Sequence, residues 1–103
     1  MNGIKSTIAS TLYDIGPFVT ENYVLYHYDG CPFCDRVQRY LAKRGIVMPQ
    51  RDILADPVAR RELIAGGGRP TVPCLKITSA DGAARWMYES LEIIDYLESR
   101  QAA

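Results

Sequence analysis

A chain of 103 residues with 12 basic and 12 acidic side chains, 48% hydrophobic and 23% charged, is sized for one domain around a single buried core. That composition excludes a disordered segment, no apolar run approaches the ~20 residues that span a bilayer, and a formal net charge of zero excludes the cationic excess of a nucleic-acid binder. Three cysteines cannot all pair with one another, and Met1 to Ile8 lacks the apolar core of a signal peptide. Reduced thiols in the cytoplasm are therefore expected, serving chemistry rather than stapling the fold.

Residues 1–22 read as an N-terminal extension and 23–103 as the domain. Within the extension Ile4, Ile8 and Leu12 recur every four residues, the spacing of a short amphipathic helix docked on the domain. Lys5 is the one cation in that stretch, which argues against a membrane-surface role. Tyr23-Val24-Leu25-Tyr26-His27-Tyr28 is aromatic and β-branched, a strand. Asp29-Gly30 turns the chain, and Pro32 opens a helix whose Phe33, Val37, Tyr40 and Leu41 share a face; Lys43-Arg44-Gly45 stops it. Ile46 to Ile53 is a second strand, interrupted by Pro49 and therefore near a sheet edge. Asp56-Pro57 caps a helix that ends in Gly66-Gly67-Gly68. Thr71 to Ile77 and Ala84 to Tyr88 form a hairpin turning at Asp81-Gly82. Ser90 caps a last helix through Leu91, Ile94 and Leu97. The order β-α-β-α-β-β-α gives an α/β fold, a four-stranded mixed sheet with helices on both faces, its first two strands parallel through a right-handed crossover.

Cys31-Pro32-Phe33-Cys34, at a strand-to-helix junction, points to thiol–disulfide chemistry. Cys31 stands where free N–H groups and the positive end of the helix dipole favour a thiolate. Cys34 follows three positions on, within reach of a disulfide, so Cys31 suits a nucleophile and Cys34 a resolving thiol. Two plainer alternatives stay open: half of a zinc site completed by Cys74 and His27, although no second closely spaced ligand pair exists, or inert buried thiols.

The element order and this motif together resemble the thioredoxin-like fold and, within it, the glutaredoxin family. Cys31-Pro32-Phe33-Cys34 is close to the glutaredoxin Cys-Pro-Tyr-Cys, and Thr71-Val72-Pro73 matches its Thr-Val-Pro, in which the proline is cis. Tyr88-Glu89-Ser90 instead resembles the Glu-Ser signature of the glutathione S-transferase N-terminal domain. The resemblance spans Tyr23 to about Arg100 and implies glutathione as co-substrate, with no metal.

It further implies a glutathione site. Val72 offers backbone N–H and C=O to the cysteinyl unit like an added strand, beside Pro73. The start of the last helix, with the Ser90 hydroxyl, receives the γ-glutamyl carboxylate, and Glu89 accepts from its ammonium. Arg69 pairs with the glycyl carboxylate, Tyr28 and Thr71 complete the site, and Pro32, Phe33 and Pro73 support the thiols. Two departures stand out: Tyr28 occupies the place of a family lysine, offset by Arg36 or Arg69, and Cys74 follows the proline, either as a small buried hydrophobe or as a third redox thiol.

The expected activity is glutathione-dependent reduction of protein disulfides or protein–glutathione mixed disulfides through Cys31. Partners are glutathione and disulfide or glutathionylated proteins, with neither nucleic acid nor membrane. The alternatives are an iron–sulfur-cluster-binding glutaredoxin, disfavoured by the bulk of Pro32, and a transferase-like glutathione-binding protein. Only 13 residues follow Ser90, room for one helix and not for a transferase's second, all-helical domain.

Overall fold

The computed structural model describes residues 21–102; the helix expected around Ile4, Ile8 and Leu12 lies outside the described residues. In chain order the elements are β1 (Asn22–His27), α1 (Pro32–Arg44), β2 (Gln50–Asp52), α2 (Pro57–Gly67), β3 (Cys74–Thr78), β4 (Ala84–Met87) and α3 (Ser90–Ala102). The expected order is the observed one. The four strands form one sheet in the order β2-β1-β3-β4. β1 and β2 are parallel, Leu25 opposite Gln50. β1 with β3 and β3 with β4 are antiparallel.

Several strand boundaries differ from expectation, β1 ending at His27 rather than Tyr28 and β4 at Met87 rather than Tyr88 among them. Asn22, placed by sequence in the extension, begins β1 and pairs with Thr78. β2 is cut to three residues, because the proline that interrupts the apolar run cannot donate to a ladder; the Pro49 carbonyl still accepts the Leu25 N–H at 3.0 Å. β3 starts at Cys74 rather than Thr71, after a cis Val72–Pro73 peptide bond.

Alternation along the strands builds a core on each face of the sheet. Leu25, Leu75 and Ile77 face α1 and α3, packing with Val37, Leu41, Met48, Ile93 and Leu97. Tyr26 and Cys74 face the other way, against Ile53, Ala59 and Leu63 beneath α2. The helix ends follow the sequence. Asp56 caps α2 by accepting from the Val58 and Ala59 N–H groups, with Pro57 in the first turn. Gly45 closes α1 at φ 67°, a left-handed conformation that glycine adopts without a Cβ penalty.

Candidate active site

The first turn of α1 is shaped by Cys31. Its N–H donates to the Tyr28 carbonyl at 3.3 Å, closing the Asp29-Gly30 turn, and it occupies the cap position of the helix in extended conformation. Its sulfur accepts the Cys34 N–H at 3.3 Å. The sulfur thus takes the role a capping oxygen usually has, satisfying one of the donors that every helix start leaves free. Cys31 is buried but for 6% of its surface, and Cys34 and Cys74 are wholly buried. Burial pushes the Cys34 thiol up to about 12, helped by its contact with the Cys31 sulfur. Cys74 is also pushed up to about 12 by burial, opposed by the Tyr88 hydroxyl and the Arg69 charge.

A cleft of about 420 Å³ lies beside this turn, lined by Phe33, Arg36, Thr71, Val72, Pro73, Glu89, Ser90 and Leu91. Seven of these are residues that the sequence singled out: Phe33, Arg36, Thr71, Val72, Pro73, Glu89 and Ser90. No backbone hydrogen bond among the described residues engages the Val72 N–H or C=O. Glu89 is the one non-glycine residue with positive φ among the described residues, at 65°. This left-handed turn sends the chain from β4 into α3 and sets Glu89 and Ser90 together on the cleft wall.

The remaining expectations fall differently. Ser90 is not a cap: it is the first residue of α3, the Glu89 carbonyl accepts the Ile93 N–H at 3.1 Å, and the Ser90 hydroxyl accepts from Arg36 Nη1 at 3.2 Å. Arg69 is outside the lining, its guanidinium stacked on the Tyr88 ring 4.1 Å from the centroid. Tyr28 is half-buried against the α2-side core and also leaves the cleft. Cys31 opens on a second depression of about 370 Å³, with Asp29, Gly30, Pro32, Asp35 and Gln38. Helical spacing explains the division: Phe33 and Arg36 share one side of α1, whereas Pro32, Asp35 and Gln38 share the other. The zinc arrangement does not assemble, because the metal-type cluster among the described residues joins His27, Asp29 and Asp52, without a cysteine. Asp52 is already committed there, accepting the Leu54 and Ala55 N–H groups at 2.8 and 3.1 Å.

Arg36 is the cation of the cleft, 5.3 Å from the Phe33 ring centroid and bonded to Ser90. Sequence offered Arg36 and Arg69 equally as replacements for the missing lysine; the structure separates them. Leu91 was not singled out, although its position directly after Ser90 is the signal that places it on the same wall.

A cis-proline turn facing a Cys-x-x-Cys helix start, on a β2-β1-β3-β4 sheet covered by helices on both faces, is the thioredoxin-like class of α/β protein. Within it the chain belongs to the family described as glutathione S-transferase, N-terminal domain, whose family model matches residues 25–103. Among solved structures it is similar to maleylacetoacetate isomerase from Anaeromyxobacter dehalogenans, crystallised with dicarboxyethyl glutathione and citrate in its active site. That match has a TM-score of 0.59 at 27% identity, covering 81% of this chain and 38% of that one. A glutaredoxin from Brucella melitensis matches with a TM-score of 0.51 at 25% identity, covering 82% and 86% of the two chains. Glutaredoxin 3 of Escherichia coli K12 is 33% identical over 52 residues, 50% of this chain and 63% of that protein; the chain thus matches less than two thirds of this curated relative.

Proposed function

We propose that this protein is a glutathione-dependent thiol–disulfide oxidoreductase of glutaredoxin type, working through Cys31. The observation that carries this reading is the Cys31 sulfur, which accepts the Cys34 N–H at 3.3 Å at the start of the helix whose Phe33 and Arg36 line a cleft together with Val72 and the Glu89-Ser90 helix start. Glutathione pairs its cysteinyl backbone with Val72, like a strand added to an edge. Its γ-glutamyl carboxylate meets the start of α3, Ser90 and Arg36, and its ammonium meets Glu89.

The chemistry is two exchanges. Cys31, as thiolate, attacks the glutathionyl sulfur of a protein–glutathione mixed disulfide; that S–S bond breaks, and the protein sulfur leaves and takes a proton. Cys31 then carries the glutathionyl group until a second glutathione thiolate attacks the same glutathionyl sulfur. The products are glutathione disulfide and free Cys31: the second glutathione's sulfur is oxidised to disulfide level as the protein sulfur is reduced to a thiol, and the transferred glutathionyl sulfur stays at disulfide level throughout. Thr71, Val72 and Pro73 supply orientation for the in-line attack. Cys34, wholly buried with its thiol held protonated, is a weak competitor for this step, so the route through Cys31 alone dominates. Cys74 takes no part, since strand alternation turns it to the α2 side of the sheet. Incubation with glutathione disulfide tests the reading. One glutathionyl adduct on Cys31, found by peptide mass spectrometry, supports it, and an adduct absent from Cys31 rejects it.

A transferase-like reading is favoured by a separate observation, the Glu89-Ser90 wall together with the family match. It requires that glutathione be conjugated to an electrophile at a rate unaffected by Cys31→Ser.

A further inference from the structure

The two walls of the cleft meet at one phenol. Tyr88 stands directly before Glu89 and Ser90, so its backbone leads into the α3 wall. Its hydroxyl donates to the Arg69 carbonyl at 3.1 Å, and the Arg69 guanidinium covers its ring at 4.1 Å. Arg69 begins the segment that runs through Thr71 and Val72 to Pro73, which forms the opposite wall. The end of α2 makes room for this arrangement: a Cβ on Gly67 would overlap the Tyr88 hydroxyl, so a glycine is what lets the ring sit there. The ring packs against the α2-side core that holds Cys74, the residue after Pro73.

We propose that Tyr88 is a positioning residue that ties the 69–73 segment to the start of α3 and so sets the separation of the two walls that hold glutathione. This rests on the glutathione-binding reading above. Arg69 then acts through its carbonyl and its stacked guanidinium, and Cys74 through its fit beneath the clamp. The clamp touches neither the ligand nor the reacting sulfur, so its loss weakens binding and leaves the exchange chemistry intact.

S-methylglutathione, which cannot exchange, is the probe. Calorimetric titration of the full chain is compared for wild type, Tyr88→Phe, Gly67→Ala and Ile77→Val. Tyr88→Phe keeps the ring and loses the donor, and is expected to raise Kd about fivefold, the worth of one hydrogen bond. Its kcat at saturating glutathione stays within about twofold of wild type, so that the KM carries the effect. Gly67→Ala, which displaces the phenol from the α2 side, shifts Kd in the same direction and carries the test if Tyr88→Phe fails to fold. Ile77→Val thins the opposite core by one methylene and controls for lost stability, with Kd unchanged. The clamp is refuted if wild type binds and Tyr88→Phe binds equally well, or if Ile77→Val raises Kd as much at the same loss of Tm. If wild type does not bind the probe, the glutathione reading itself is wrong, and the clamp falls with it.

Discussion

Arg36 on α1 donates to the hydroxyl of Ser90 on α3 at 3.2 Å, joining the helix that begins at the thiols to the helix that begins at the proposed anion subsite. Because both residues line the cleft, a ligand carboxylate arriving there finds a cation and a hydroxyl already held together. Arg36→Gln keeps a donor and removes the charge. It is expected to raise the Kd for S-methylglutathione about tenfold, the range of one charged hydrogen bond. Titration at two ionic strengths checks this, since the wild-type affinity should fall with salt more steeply than that of the variant.

Thiol accessibility gives a second test. Native protein treated with iodoacetamide at pH 8 should be modified at Cys31, while Cys34 and Cys74, both wholly buried, react only after denaturation. Leu63 packs beside Cys74 in the α2-side core. Leu63→Ala should therefore cost about 2–5 kcal/mol of stability and speed modification of Cys74 without affecting that of Cys31. Peptide mass spectrometry after timed quenching separates the three sites.

The same two thiols make a prediction about pH. Each moves from an ordinary value of 9.0 to about 12 in the folded chain, chiefly through burial. Above pH 9 the unfolded chain releases those protons while the folded chain keeps them. The unfolded state then binds fewer protons, and stability falls as pH rises, from about 9 to about 12. The slope is at most about 1.4 kcal/mol per pH unit for each thiol. Urea denaturation between pH 8 and pH 10.5 should show the decline, and the Cys34→Ala/Cys74→Ala double variant should flatten it.

Much of this architecture could be read before the coordinates. The Pro32 helix start, the Asp56-Pro57 cap and the Gly45 stop are local chemistry, in which one side chain or one φ angle decides the outcome, so they survive folding unchanged. The tripeptide Thr71-Val72-Pro73 and the pair Glu89-Ser90 were legible as motifs and share the cleft. What escaped depends on distances between elements. Whether Arg36 or Arg69 supplies the cation is settled by which face of α1 meets α3 and by the phenol of Tyr88 that captures Arg69. Ser90 resembles a cap in sequence, but the left-handed turn at Glu89 moves the helix start by one residue and leaves the hydroxyl for Arg36. The side of α1 on which Cys31 opens, away from Phe33, likewise follows from packing that spacing alone does not specify.

In the proposed reaction a single sulfur, that of Cys31, performs the exchange. The most direct measurement is the rate at which glutathione releases a glutathionylated peptide, compared for wild type, Cys31→Ser and Cys34→Ser. Cys31→Ser should fall to the uncatalysed rate, while Cys34→Ser, which lacks only a buried and protonated thiol, should stay within about threefold of wild type. Catalysis that persists in Cys31→Ser would contradict that reaction.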